Sequence, residues 1–88
     1  ERPLFMCRNL NNNRNSRAVS DGKHLHLDLT DTQVAMSGIA FGQGEKAQHL
    51  QNGNSIDVCF YLEENSFRGR TTLQMNAQDI KLNNHRNK

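Results

Sequence analysis

Hydrophobic and polar positions alternate most cleanly in two stretches of this chain. Between His24 and Leu29, the side chains of Leu25, Leu27 and Leu29 fall on one side and those of His24, His26 and Asp28 on the other. This period of two marks a strand with one buried face. From Ser55 to Glu64 (SIDVCFYLEE), Ile56, Val58, Phe60 and Leu62 alternate in the same way with Asp57, Cys59, Tyr61 and Glu63. Three weaker patterns complete the set. Leu4 to Leu10 (LFMCRNL) follows Pro3, a residue tolerated at the start of a strand. Gln33 to Phe41 (QVAMSGIAF) resumes after a turn at Thr30 and Asp31, predicting a hairpin with the strand before it. Arg70 to Leu82 sets Leu73, Met75 and Ala77 against Gln74, Asn76 and Gln78, with an irregularity expected near Asp79. In Gln33 to Phe41 the apolar positions run Val34, Met36, then Ile39 and Phe41, so parity changes around Gly38. A glycine at a parity change predicts a β-bulge or tight bend.

The connections are polar. Asn11 to Gly22 (NNNRNSRAVSDG) is rich in residues that favour turns and predicts a long loop, with room for a brief strand at Arg17 to Val19. Gly42 to Gly53 contains EKAQHLQ, which can place Ala47 and Leu50 on one face of a one- or two-turn helix. Asn65 to Gly69 (NSFRG) predicts the turn between the last two strands. The resulting order is β-β-β-α-β-β, an all-β chain with one short helix. A five-stranded OB-fold barrel has this connectivity, and its closure removes most exposed edges. An SH3-like barrel has a similar strand count and is the main alternative.

With 88 residues the chain has room for one small domain and one thin core. The hydrophobic fraction of 34% is low, as is the mean hydropathy of −0.86. Much of the polarity lies in Asn11 to Asp21 and Asn83 to Lys88, so residues 1–82 read as the domain and 83–88 as a polar, disordered tail. The chain starts at Glu1 rather than Met and contains neither a membrane-length apolar run nor a signal peptide, so it reads as a piece of a longer protein. Cys7 and Cys59 have neither the number of a disulfide framework nor the spacing of a zinc site. Reduced thiols and a cytoplasmic setting are expected. A net charge of +2 is too small for indiscriminate polyanion binding, so any nucleic-acid role depends on where the arginines fall.

Three stretches carry a family resemblance: KHLHLDLTD (Lys23 to Asp31), SGIAFGQG (Ser37 to Gly44) and IDVCFYLEENSFRGRTTLQMNAQDI (Ile56 to Ile80). Over roughly Pro3 to Lys81 the chain resembles the C-terminal OB domain of the RecJ exonucleases, although that family often has Trp at the position of Phe67 and a less Asn-rich first loop. The resemblance implies a parent enzyme of DNA repair and recombination that degrades single-stranded DNA from 5′ to 3′. Divalent metal, Mn or Mg, would be held by Asp and His clusters in a separate catalytic core. No Asp-His-His cluster occurs in this sequence, so the segment itself is expected to be non-catalytic and to need no cofactor. The expected partners are single-stranded DNA and the parent's catalytic domains, with no membrane.

An OB barrel binds single strands across its second and third strands, beneath the first-to-second and fourth-to-fifth loops. The first loop supplies Arg14, Arg17 and Lys23, and the second Phe67, Arg68 and Arg70. Guanidinium groups suit phosphates or base faces, and Phe67 suits base stacking. Solvated arginines and a Phe67 plug against the barrel are the plainer readings of the same residues. His24 and His26 provide only two ligands of the usual four for a metal, so contact with DNA is the better expectation. A backbone partner is expected for the Tyr61 hydroxyl. Asp57, Glu63, Glu64 and Asp79 do not suit a two-metal nuclease, because Asp57 and Glu63 lie about 20 Å apart along one strand. Two other functions remain open from sequence, a docking module packed on a nuclease core or replication partner and a stand-alone RNA-binding OB protein.

Overall fold

The computed structural model describes residues 2–32 and 34–83. Its elements are β1 (Phe5–Asn12), β2 (Arg17–Val19), β3 (His24–Asp31), β4 (Val34–Ala40), a 3-10 helix (Gly44–His49), β5 (Ser55–Phe67) and β6 (Arg70–Asn83). Pairing runs β1-β5-β6-β4-β3, and β3 pairs back onto β1, so the sheet closes into a ring. Within that ring β4–β6 is parallel, at Gly38↔Met75 and Ile39↔Asn76, and the other pairs are antiparallel. The short β2 lies on β3, at the place where the sequence allowed a brief strand.

The inside of the ring is the alternating apolar set. Leu25, Leu27 and Leu29 of β3, Ile56, Val58 and Phe60 of β5, Met75, Ala77 and Ile80 of β6, Ala40 of β4 and Leu10 of β1 form one buried cluster. Burying a Leu, Ile or Val side chain is worth about 1.5–3 kcal/mol, and this cluster is what a chain of such size has to set against its entropy.

Several expectations are corrected. The helix is 3-10 rather than α: Lys46 N–H donates to the Gln43 carbonyl and Leu50 N–H to the Ala47 carbonyl, each over 3.1 Å. Six residues between two pinned ends are too few for α-helical nucleation. Its Ala47 and the following Leu50 do pack on the core. Residues Asn11 and Asn12, assigned to the first loop, belong to β1 and pair with Thr30 and Leu29, because that pairing closes the ring. Buried Asn12 donates from Nδ2 to the Gln51 carbonyl over 2.8 Å. No bulge occurs at Gly38, since the β3–β4 register is unbroken from Leu25↔Ala40 to Asp31↔Val34. A Cβ at Gly38 would lie 2.7 Å from the Met75 carbonyl oxygen, so glycine serves the close approach of β4 to β6.

The last turn is also shorter than expected. Phe67 pairs with Arg70, leaving only Arg68 and Gly69 between the strands. Both have positive φ, +54° and +79°, as a type I′ hairpin turn requires. The Ser66 and Thr71 hydroxyls meet at 3.0 Å across the arm. The expected irregularity near Asp79 is present as a register shift: Cys59 pairs with Asp79 but Phe60 with Ala77, leaving Gln78 extra. Asn83, placed in the tail by sequence, pairs with Ser55 at the end of β6, and residues 84–88 lie outside the described region. Cys7 and Cys59 do lie on adjacent strands, but Cys7 packs toward the core while Cys59, paired with Met6, lines an outer groove. Among the described residues no helix is long and apolar enough to cross a membrane.

A second register shift, in β1 between Cys7 and Leu10, places Asn9 at φ +59°. Asp57 on β5 holds it: Asp57 Oδ1 accepts from Asn83 Nδ2 at 2.8 Å and from the Asn9 backbone N–H at 2.9 Å. These bonds, the Asn83 amide first and the Asn9 N–H second, hold the Asp57 carboxyl below its ordinary value, assisted by Lys81 and Arg8. A depressed carboxyl stabilises the fold above its unfolded pKa and ceases to do so as pH falls through the folded one. Asp57→Ala is therefore expected to lower the urea midpoint at pH 7, with the gap to wild type narrowing below about pH 4. An equal gap at pH 7 and pH 2.5 would leave the carboxylate without this role.

Candidate nucleic-acid interface

Alternation along each strand sends a second set of side chains outward. The paired positions Arg17↔His26, His26↔Ile39, Ile39↔Asn76 and Asn76↔Tyr61 form one row across β2, β3, β4, β6 and β5. Directly paired residues project to the same face, so the row is a continuous outer surface. Beside it lies a second row containing Val19, His24 and Phe41. The His24 and Phe41 rings meet edge to face, with centroids 5.1 Å apart at 78°. His24 Nδ1 accepts the Gly42 backbone N–H over 2.9 Å, which fixes the imidazole against the turn after β4.

The loop residues proposed from sequence fall into two groups. Arg14 is exposed in the turn between β1 and β2. Arg17 is exposed on β2 and donates from Nη1 to the Asn15 carbonyl over 3.0 Å. Exposed Lys23 precedes β3, where its carbonyl accepts the Gly44 N–H over 3.1 Å. With His24 and His26 these make one group spread along the β2–β3 hairpin, Arg14 at the β1–β2 connection and Lys23 at the opposite end. Phe67, Arg68 and Arg70 form the other at the hairpin tip, where the Arg68 guanidinium lies 5.1 Å from the centre of the Phe67 ring. Phe67 is 67% exposed and therefore does not plug the barrel. The two clusters do not converge, because Arg70 stands six residues along β6 from Asn76, about 20 Å at strand spacing.

Three of the four acids, Asp57, Glu63 and Asp79, have structural partners, and Glu64 is exposed. Glu63 accepts from Arg2 at 3.2 Å and from Asn76 Nδ2 at 2.8 Å. Asp79 lies 4.0 Å from Lys46. Among the described residues no three His, Cys, Asp or Glu side chains gather as a metal site would require. The Tyr61 ring carries the Arg2 guanidinium 4.3 Å from its centre. Among the candidates, sequence reasoning left out Phe41, which it grouped with Ile39 as an apolar position after the supposed parity change, and the amides of Gln74, Asn76 and Gln78. Unbroken alternation from Met36 through Gly38 to Ala40 was the signal that puts Phe41 outside.

A closed ring of this connectivity, with one parallel pairing and a polar-aromatic outer face between two basic loops, defines a small domain of the oligonucleotide-binding class. Residues 1–79 match the RecJ OB domain family, and the chain belongs to that family. No curated protein matches the chain at a significant level. Solved structures that share the fold include two single-stranded DNA-binding proteins. The second single-stranded DNA-binding protein of Mycobacterium smegmatis is 14% identical with a TM-score of 0.72, the likeness covering 91% of this chain and 84% of that one. The small single-stranded DNA-binding protein of Streptomyces coelicolor is 12% identical with a TM-score of 0.67, covering 94% of each chain.

Proposed function

We propose that this domain is a non-catalytic module that grips single-stranded DNA for a RecJ-like 5′-to-3′ exonuclease of DNA repair and recombination, a cytoplasmic enzyme whose divalent metal belongs to a separate catalytic core. The observation that carries the reading is the outer row Arg17–His26–Ile39–Asn76–Tyr61, set between the arginine-bearing β1–β2 connection and the hairpin tip. Arg14, Arg17, Lys23, Arg68 and Arg70 face phosphates, His24 and His26 line the path, and Phe67 offers a stacking face. Membership of the RecJ OB domain family and the two structural likenesses support it.

The test is fluorescence anisotropy of a labelled single-stranded oligonucleotide at several salt concentrations. Arg68→Ala with Arg70→Ala is expected to weaken binding about tenfold at low salt. It should also reduce the slope of log affinity against log salt by about 1.4, at roughly 0.7 per phosphate on a single strand. An RNA oligomer of equal length serves as the comparison. A second reading has its own observation: exposed Leu62 and Leu73 and half-buried Met36 line a hollow of about 210 Å³ beside the hairpin arm. That surface suits docking on the parent's catalytic domains. Failure of the wild-type domain to bind single strands even at low salt would favour it.

A further inference from the structure

We infer that Phe41 is a base-stacking platform, so that the interface has an aromatic pole at each end rather than at the hairpin tip alone. The inference rests on the single-strand-binding reading. Phe41 is 58% exposed just after β4, where the preceding Ala40 is buried and the following Gly42 is exposed. On this face, which it shares with His24, His26 and Asn76 as well as Val19 and Ile39, the exposed ring adds little to the buried core. Its ring is nevertheless fixed, because His24 meets it edge-on and is itself tied to the Gly42 N–H. A prefixed ring loses little entropy when a base stacks on it.

Next to this ring lies an open groove of about 480 Å³, lined by Gly22, Lys23, His24, Gly42, Gly44 and Glu45. Three of its six lining residues are glycines, which keeps it open to a nucleotide, and Lys23 provides a cation for a phosphate on a wall that also carries the Glu45 carboxylate. Arg17 and His26 occupy the adjoining row toward the hairpin. Because β4 and β6 run parallel at Ile39↔Asn76, Phe41 lies two residues beyond that pair and Arg70, the partner of Phe67, six before it. The poles are therefore about 26 Å apart along the strands. A single strand stacked on both would run along β4 and β6 and cross the outer row at Ile39 and Asn76.

The chain contains no tryptophan, so Phe41→Trp introduces a single indole reporter. Titration with an unlabelled thymidine oligomer of about 15 nucleotides, inside the site sizes of such folds, is expected to quench its emission, with affinity equal to or tighter than wild type by anisotropy. Phe41→Ala is expected to weaken binding about 5- to 150-fold, the range for loss of one stacked base, with an unchanged urea midpoint. If wild type and Phe41→Ala bind equally, or the indole stays bright while anisotropy saturates, the platform is wrong and the DNA-binding reading survives. If wild type binds no single strand, both fall together.

Discussion

Gly38→Ala is expected to cost about 3 kcal/mol or more of folding stability, and Gly38→Val enough to leave the domain largely unfolded. The added Cβ would lie 2.7 Å from the Met75 carbonyl oxygen and 2.8 Å from the Met75 Cβ. Neither atom can rotate away, since both belong to the backbone or its first side-chain carbon. Relief requires β4 and β6 to separate where their parallel pairing closes the ring. Native domains of this length hold about 4–13 kcal/mol in all, so the loss is a large share. Urea unfolding followed by circular dichroism measures it. A cost below 1 kcal/mol for alanine would mean that the β4–β6 junction yields and that closure contributes little.

Leu27→Ala should be nearly as damaging, at about 2–5 kcal/mol. Leu27 is fully buried in the middle of β3, pairs directly with Gly38 and belongs to the one core cluster, so its removal leaves a cavity there. Leu27→Met keeps the volume and is expected to cost less than about 1.5 kcal/mol. Equal urea midpoints for the alanine and methionine variants would contradict the packing argument.

The strands most legible in sequence were those with one face buried along their whole length, β3 and the first half of β5. Alternation fails as a guide where burial does not follow it. Ile39 and Phe41 are apolar yet outward, which made Gly38 look like a change of parity. The hairpin arm beyond Glu64 extends past the ring, and its Asn65 and Ser66, followed by Arg68 and Gly69, resembled a longer turn. Asn12 is polar and buried at the seam between β1 and β3. The shift at Asn9 is dictated by Asp57, 48 residues away, and no local pattern encodes it. Of the candidate interface, the arginine-bearing rims were legible from turn chemistry and the order of elements. Phe41 was not, because its place depended on the facing of β4.

The two-residue parallel contact between β4 and β6 also bears on the order of assembly. The β5–β6 and β3–β4 hairpins join neighbours in sequence, and isolated hairpins form in about 1–10 μs. The parallel contact instead unites Gly38 with Met75, across the whole of the intervening helix and β5. Loop closure of that length must be met before the contact contributes anything, which places this topology among the folders governed by distant pairings. The domain is thus two early hairpins awaiting a late clasp, and Gly38 is the residue that lets the clasp shut.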